Sequence, residues 1–157
     1  MKKKLLCLGI AFLLVGCSRN YMSSLYSNDK EIVSESNSFS VDEETQNIEG
    51  QQYSGSLVLE GMDTIWKYDA KEDMNIDISY ELSVNKGKAK LVLISPDDAC
   101  ETIVENNEKA EQKELETVTV TLKKGENRIK LVAADKAQID LDLSVDKGEF
   151  NKVGINW

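Results

Sequence analysis

The amino-acid sequence predicts an all-β protein built as an antiparallel β-sandwich of about seven to eight strands. Three observations lead there. From Met74 to Val84 every even position is apolar or aromatic and every odd one polar, the period of a strand with one buried face. Residues 117–122, 128–133 and 138–145 repeat this alternation at short intervals, with Gly, Asn, Asp and Lys gathered between them. Strands covered on both faces, as in parallel α/β sheets, would instead read as continuous apolar runs. Short half-apolar strands therefore pack as two antiparallel layers, a sandwich of jelly-roll-like form.

Taken in order, residues 57–60 and 63–69 are short strands, and 73–84 is the strongest one. Asn85-Lys86-Gly87-Lys88 breaks the chain before a strand over 88–95, which Ser95-Pro96-Asp97-Asp98 ends, because the sole proline donates no ladder hydrogen bond. Cys100 to Glu105 offers an eighth strand, and the Glu/Lys/Ala-rich stretch 106–116 reads as a solvated loop. Residues 116–123 and 127–134, joined at Lys124-Gly125-Glu126-Asn127, read as a hairpin. The strand 138–146 closes at Lys147-Gly148, and Val153 to Trp157 reads as a last short strand whose indole covers one end of the sandwich.

The N-terminal third has a different character. Met1-Lys2-Lys3-Lys4 is basic, Leu5 to Val15 is apolar but too short to span a bilayer, and small Gly16 precedes Cys17. Leu14-Val15-Gly16-Cys17 resembles the processing site of bacterial lipoproteins. That resemblance implies a leader over residues 1–16, a diacylglycerol thioether on Cys17, and an extracytoplasmic protein held to the cell-envelope membrane by lipid. Two acyl chains hold stably where one binds marginally. Residues 17–55, rich in Ser, Asn, Gln, Asp and Glu, follow no sustained period and read as a flexible tether. As a coil this segment reaches roughly 35 Å. Its apolar residues, Tyr21, Leu25 and Tyr26, would otherwise anchor a segment that folds on a partner. The sandwich is assigned to residues 56–157.

Composition narrows the chemistry. Acidic residues number 28 against 19 basic, for a net charge of −9, and the leader removes only lysines, so the processed chain is more acidic still. Nucleic acid is an unsuitable partner, and anionic lipid would not hold the chain by charge alone. There is no histidine, which excludes Ser-His-Asp and Cys-His nucleophile systems and histidine-based metal catalysis. Nine glycines are scattered singly, with no phosphate-cradling loop, so no cofactor is implied. With Cys7 in the leader and Cys17 lipidated, Cys100 has no partner for a disulfide within the chain; its neighbours Ala99, Ile103 and Val104 favour a buried thiol.

Carboxylates and aromatics remain. Asp140 and Asp142, two apart on one strand and followed by Asp146, are candidates for Ca²⁺ or for glycoside hydrolysis, although acids at alternate solvent-facing positions are also what solubility produces. Asp97-Asp98 reads as a turn. Trp66 and Tyr68 share a strand face, with Tyr80 on a neighbouring strand; they are either core or a platform on which sugar rings stack. The strand pattern is similar to jelly-roll, galactose-binding-like modules of extracellular bacterial proteins, a likeness that carries no signature residue across. The favoured reading is a non-catalytic, membrane-tethered sandwich that binds or scaffolds an envelope glycan or protein. A carboxylate-dependent glycan-acting enzyme and a purely structural envelope protein are the alternatives.

Overall fold

The computed structural model describes residues 20–111, 114–155 and 157; Cys17 and the rest of the leader region lie outside them. After a short helix α1 (Tyr21–Ser24), a 3-10 turn (Leu25–Ser27) and a second short helix α2 (Asp29–Ile32), the chain is β throughout. The strands are β1 (Ser38–Glu49), β2 (Gln52–Ala70), β3 (Met74–Ile94), β4 (Cys100–Asn107), β5 (Glu116–Leu122), β6 (Gly125–Val145) and β7 (Glu149–Phe150). All pairings are antiparallel, in the order β1-β2-β6-β3-β4, with β5 added to β3 and β7 to β2. Among the described residues no helix is long and apolar enough to cross a membrane.

β2, β3 and β6 run for 19, 21 and 21 residues, so each would extend ~60–70 Å if straight. None stays straight. The ladder shifts register between Leu59 and Gly61 and again around Lys86, where Gly61 (φ 102°) and Gly87 (φ 72°) adopt left-handed backbone, as do Asp135 and Lys136 on β6. A Cβ on Gly61 would meet the Ser38 carbonyl oxygen at 2.1 Å, so only glycine lets β1 lie against this bend. The sheet thus folds over on itself. Its first layer joins β5, the start of β3, the end of β6, the start of β2 and the end of β1; its second joins β4 with the other halves of the long strands. Tyr53, Leu57, Leu82 and Leu143 from one layer and Ile65, Trp66, Leu93 and Ile129 from the other share one core.

The all-β, antiparallel expectation holds, and three of its details are corrected. The breaks at 61–62, 85–88 and 135–137 are bends inside continuous strands, because one or two left-handed residues kink a strand without reversing it. The proposed 116–123/127–134 hairpin does not form. β5 pairs with β3 instead, and the short crossing to the other layer is held by Asn127, whose Oδ1 accepts from Lys123 N (3.1 Å), and by Asp73, whose Oδ1 accepts from Lys124 N (2.8 Å). Residues 153–157 form no strand among the described residues; Val153 and Gly154 lie in a turn, and Trp157 Nε1 donates to Thr64 O (3.0 Å) beside β2.

The largest correction concerns the tether assigned to 17–55. Residues 20–49 are folded onto the sandwich. The second layer is apolar on both sides, with Met62, Val92, Ile94, Val132 and Ala134 facing away from the main core, and Leu25, Tyr26 and Ile32 cover them in a second buried cluster. Arg128 and Lys130, on this same outer face, clasp the segment. Arg128 donates to Val33 O (2.8 Å) and Ser34 O (3.2 Å), and Lys130 Nζ to Ser34 O (2.7 Å) and Ser36 O (2.8 Å). β1 then pairs along β2, with Phe39, Val41 and Ile48 half-buried against the main core. A register shift between Asp42 and Thr45 breaks its alternation in sequence.

Two predictions follow from the clasp. A chain beginning at Gln51 loses β1 and the cover over Met62, Val92, Ile94 and Val132, and is expected to bind ANS and unfold without cooperativity, whereas one beginning at Asn20 unfolds in a single urea transition. Burial, and then the neighbouring Arg128, lower the Lys130 ammonium from 10.5 to about 8 against the opposing pull of Asp63, Cys100 and Glu31. Between those pH values the unfolded chain holds more protons than the folded one, so stability relative to Lys130→Met is expected to rise with pH from about 8 to 10.5. Urea unfolding of both proteins across that range, with no such rise, would refute the assignment.

Candidate functional site

The outward face of the first layer is where the strand alternation leaves its polar half. Register fixes its rows. Glu49, Gln52, Ser144, Ser79 and Thr117 lie across five strands, then Asn47, Ser54, Asp142 and Glu81, then Thr45, Ser56, Asp140 and Ser83. Cross-strand hydrogen bonds order parts of this surface. Ser79 and Thr117 hydroxyls meet at 2.8 Å, Thr121 donates to Asn75 (2.8 Å), Thr119 donates to Asp77, and Asn85 Nδ2 donates to Asp140 Oδ2 (3.1 Å).

An open groove of about 450 Å³ runs over the first two rows, lined by Asn47, Glu49, Gln52, Ser54, Asp142 and Ser144 among others. A shallower hollow of about 260 Å³ continues it past Thr45, Ser56 and Asp140. Side-chain amides, hydroxyls and carboxylates line both, and among the described residues no cation does. Such a surface repels anions and offers acceptors and hydroxyl donors to a polar neutral ligand. Leu115, exposed at the groove's rim, is the apolar side chain that reaches it from outside the sheet.

The aromatic candidates are placed elsewhere. Trp66 is completely buried, with its Nε1 donating to Lys147 O (2.7 Å), and Tyr80 is 6% exposed, with its hydroxyl donating to Glu116 Oε2 (2.9 Å). Tyr68 is half-buried, its ring 6.2 Å from that of Trp66 and tilted to it. Tyr80 lies in the first layer, Trp66 and Tyr68 in the second. They form no exposed row; of the two readings, core and sugar platform, Trp66 and Tyr80 take the core, where each ring buries apolar area while its polar tip finds one acceptor, and Tyr68 packs half-buried against Trp66.

The acidic and thiol candidates stand apart. Asp140 and Asp142 are exposed on adjacent rows of an open face. Among the described residues no three His, Cys, Asp or Glu side chains gather as metal ligands would. Asp98 sits in the turn expected of it, its N donating to Ser95 O (3.0 Å). Cys100 opens β4 at the sheet edge and is exposed, contrary to the expected buried residue; burial around its sulfur and the nearby Asp29 carboxylate raise its pKa, keeping it a thiol.

Sequence reasoning missed Asp63. It is buried on β2, and its carboxylate accepts from Thr64 N (2.8 Å) and Gly154 N (2.8 Å), holding the C-terminal segment to the sheet. Burial raises its pKa, against those N–H donors and Lys130. Gln46 holds the same segment through Val153 N (2.7 Å) and Val153 O (3.1 Å). A lone acid beside Met62 carries no sequence signal for that role.

No protein-family model matches the chain, and no curated protein does. Among solved structures it is similar to the pre-peptidase C-terminal domain of a collagenase from Bacillus anthracis, at 17% identity and a TM-score of 0.40, over 69% of this chain and 88% of that one.

Trp66 supplies the test of core against platform. Trp66→Ala is expected to cost about 3–5 kcal/mol in urea unfolding, the range for emptying a large buried ring site. A loss within about 0.5 kcal/mol, as for surface substitutions, would restore the ring to the surface.

Proposed function

We propose that the chain is a non-catalytic module of the bacterial cell envelope, lipidated on Cys17, that uses the polar face of its first layer to bind or scaffold a hydroxyl-rich envelope glycan. The observation that carries the reading is the groove over Asn47, Gln52, Ser54, Asp142 and Ser144, a sheet surface of hydrogen-bonding groups. Protein partners select differently. Interface cores are enriched in aromatic residues and depleted of charge, whereas this face carries carboxylates, the Tyr53 and Leu143 side chains beneath it are buried, and Leu115 is the exposed apolar side chain at its rim among the described residues. A glycan asks for what the face offers, since each sugar hydroxyl both donates and accepts.

The non-catalytic part of the reading draws on the absence of histidine and on the disposition of the acids. Asp140 is already engaged by Asn85 on an open surface, whereas a glycosidase flanks its substrate with opposed carboxyls in a cleft. The extracytoplasmic address draws on residues 14–17 and on the basic and apolar stretches before them.

Two measurements test the reading. Purified mature protein is expected to bind envelope glycans on an array, and Ser54→Arg or Asp142→Arg to lower that binding about tenfold, the loss of one well-made contact, with unfolding unchanged. Binding that ignores both substitutions would move the site elsewhere. Cys17→Ala is expected to shift the protein from the membrane fraction to the soluble extracytoplasmic one, and retention in the membrane would remove the lipid anchor.

A further inference from the structure

We infer that the bent end of the sandwich, at Lys86, Lys88, Lys109 and Lys136, rests on the anionic headgroup surface of the bilayer, an inference that rests on the lipid-anchor reading of Cys17. The first support is chain length. The folded segment includes Asn20, whose Oδ1 caps α1 at Met22 N (3.2 Å) and whose carbonyl accepts from Ser24 N (3.1 Å). Cys17 lies three residues earlier, and three residues span at most about 11 Å. The roughly 35 Å reach of the expected tether is therefore gone. An acylated Cys17 sits among headgroups, a zone of about 5–8 Å per leaflet, so the sandwich is at the surface.

The second support is what α1 is fastened to. Ser23 Oγ donates to Glu60 Oε1 (2.6 Å) and accepts from Asp135 N (3.0 Å), which docks the helix on the strand bends. There β3 and β6 bring Lys86, Lys88 and Lys136 together. Glu108 adds Lys109 by binding the Gly87 backbone twice, its N donating to Gly87 O (3.1 Å) and its Oε2 accepting from Gly87 N (3.0 Å). The result is a hollow of about 330 Å³ with Lys86, Lys88, Lys109 and Asp135 on its walls. Lys88 Nζ is held 4.5 Å over the Tyr26 ring, and Lys90 follows at 4.9 Å.

The acids nearby offset this charge only in part. Within the hollow Lys86, Lys88 and Lys109 face Glu108 and Asp135, an excess of one positive charge, while Lys90 and Lys136 beside it are balanced by Glu60 and Glu105, which stay charged while bonded to Ser23 and the Tyr26 hydroxyl (2.7 Å). Asp42 and Glu44 lie at β1, beyond β2 and β6 from this hollow. In a chain of net charge −9, a concentration of lysine beside the anchor point is the surface that anionic lipid attracts, and the remaining surface is repelled. Tyr21, 59% exposed and next to Asn20, is a residue type that favours the headgroup level. This placement stands the first layer upright. The groove at Gln52 and Ser144 lies some seven or eight residues along β2 and β6 from the bends, about 20–25 Å from the lipid.

The test uses mature lipidated protein in vesicles, with intact mass establishing the diacylglycerol on Cys17. Cys100→Ser is combined with Ala110→Cys, beside Lys109, or with Gln51→Cys at the far turn, and each carries a fluorophore. A quencher attached to lipid headgroups is expected to quench position 110 about threefold more than position 51 in phosphatidylglycerol vesicles, and the difference to shrink in phosphatidylcholine vesicles, in high salt and in Lys86→Glu/Lys109→Glu/Lys136→Glu. Equal quenching at the two positions, or a preference indifferent to all three changes, overturns the inference while the mass leaves the anchor standing. A mass without lipid overturns both.

Discussion

The structure depends on one contact: the bond between a doubly apolar half-sheet and the N-terminal segment that covers it. Leu91, Leu93, Ile129 and Leu131 face the main core, and Val92, Ile94 and Val132 face the other way. Each of the latter is worth about 1.5–3 kcal/mol when covered, and without a cover the layer would present an apolar strip to water. Leu25, Tyr26 and Ile32 supply the cover. Arg128 and Lys130 make it specific, because their donors meet the carbonyls of Val33, Ser34 and Ser36 in the non-helical stretch between α2 and β1. The cations gain acceptors and the segment is pinned in one arrangement. β1 follows directly, so its place along β2 depends on the same contact.

Much of the fold was legible because alternation reports burial. Met74 to Val84 and Gln138 to Val145 place their apolar residues inward as their period requires. Chain direction at a break was not legible. Gly87 between lysines and Asp135-Lys136 have the composition of turns, yet they bend strands that continue, since neither carries the second strand back beside the first. The cover was the costlier omission, and its signal was present. Leu91 to Ile94 and Leu131 to Ala134 are continuous apolar runs, the pattern of strands buried on both faces. The rule that excludes a parallel sheet also demands an apolar partner for these two runs, and Leu25, Tyr26 and Ile32 are among the apolar residues outside any strand.

The candidate site shows the same limit. A period of two says which residues share a face but not which face meets water, so Trp66, Tyr68 and Tyr80 were compatible with both core and platform. The register shift between Thr64 and Trp66 turns the indole into the core, where Lys147 O accepts its N–H. The polar face was visible only as scattered Ser, Thr, Asn and Asp. Pairing assembles them: Ser54 lies opposite Asn47 and Asp142, and Ser144 opposite Gln52 and Ser79. These residues come from positions 47 to 144 of the sequence, and nothing short of strand register brings them into one groove.

Cover, groove and proposed anchor meet in a single mechanical arrangement. A lipid on Cys17 would load the fold at α1, which is fixed to β2 and β6 at their bends through Ser23 and sealed by Leu25 and Tyr26. β2 and β6 are neighbouring interior strands of the sheet, and their other halves carry Ser54, Asp142 and Ser144. Restraint at the bends is therefore restraint of the groove, since the same continuous backbones form both. A flexible tether would let the polar face sample every direction, whereas an anchor three residues before a packed helix would limit its height above the membrane. For a ligand fixed in a wall, itself immobile, such a module meets its target with less positional freedom left to lose, and weak hydrogen-bonding contacts then suffice to hold it.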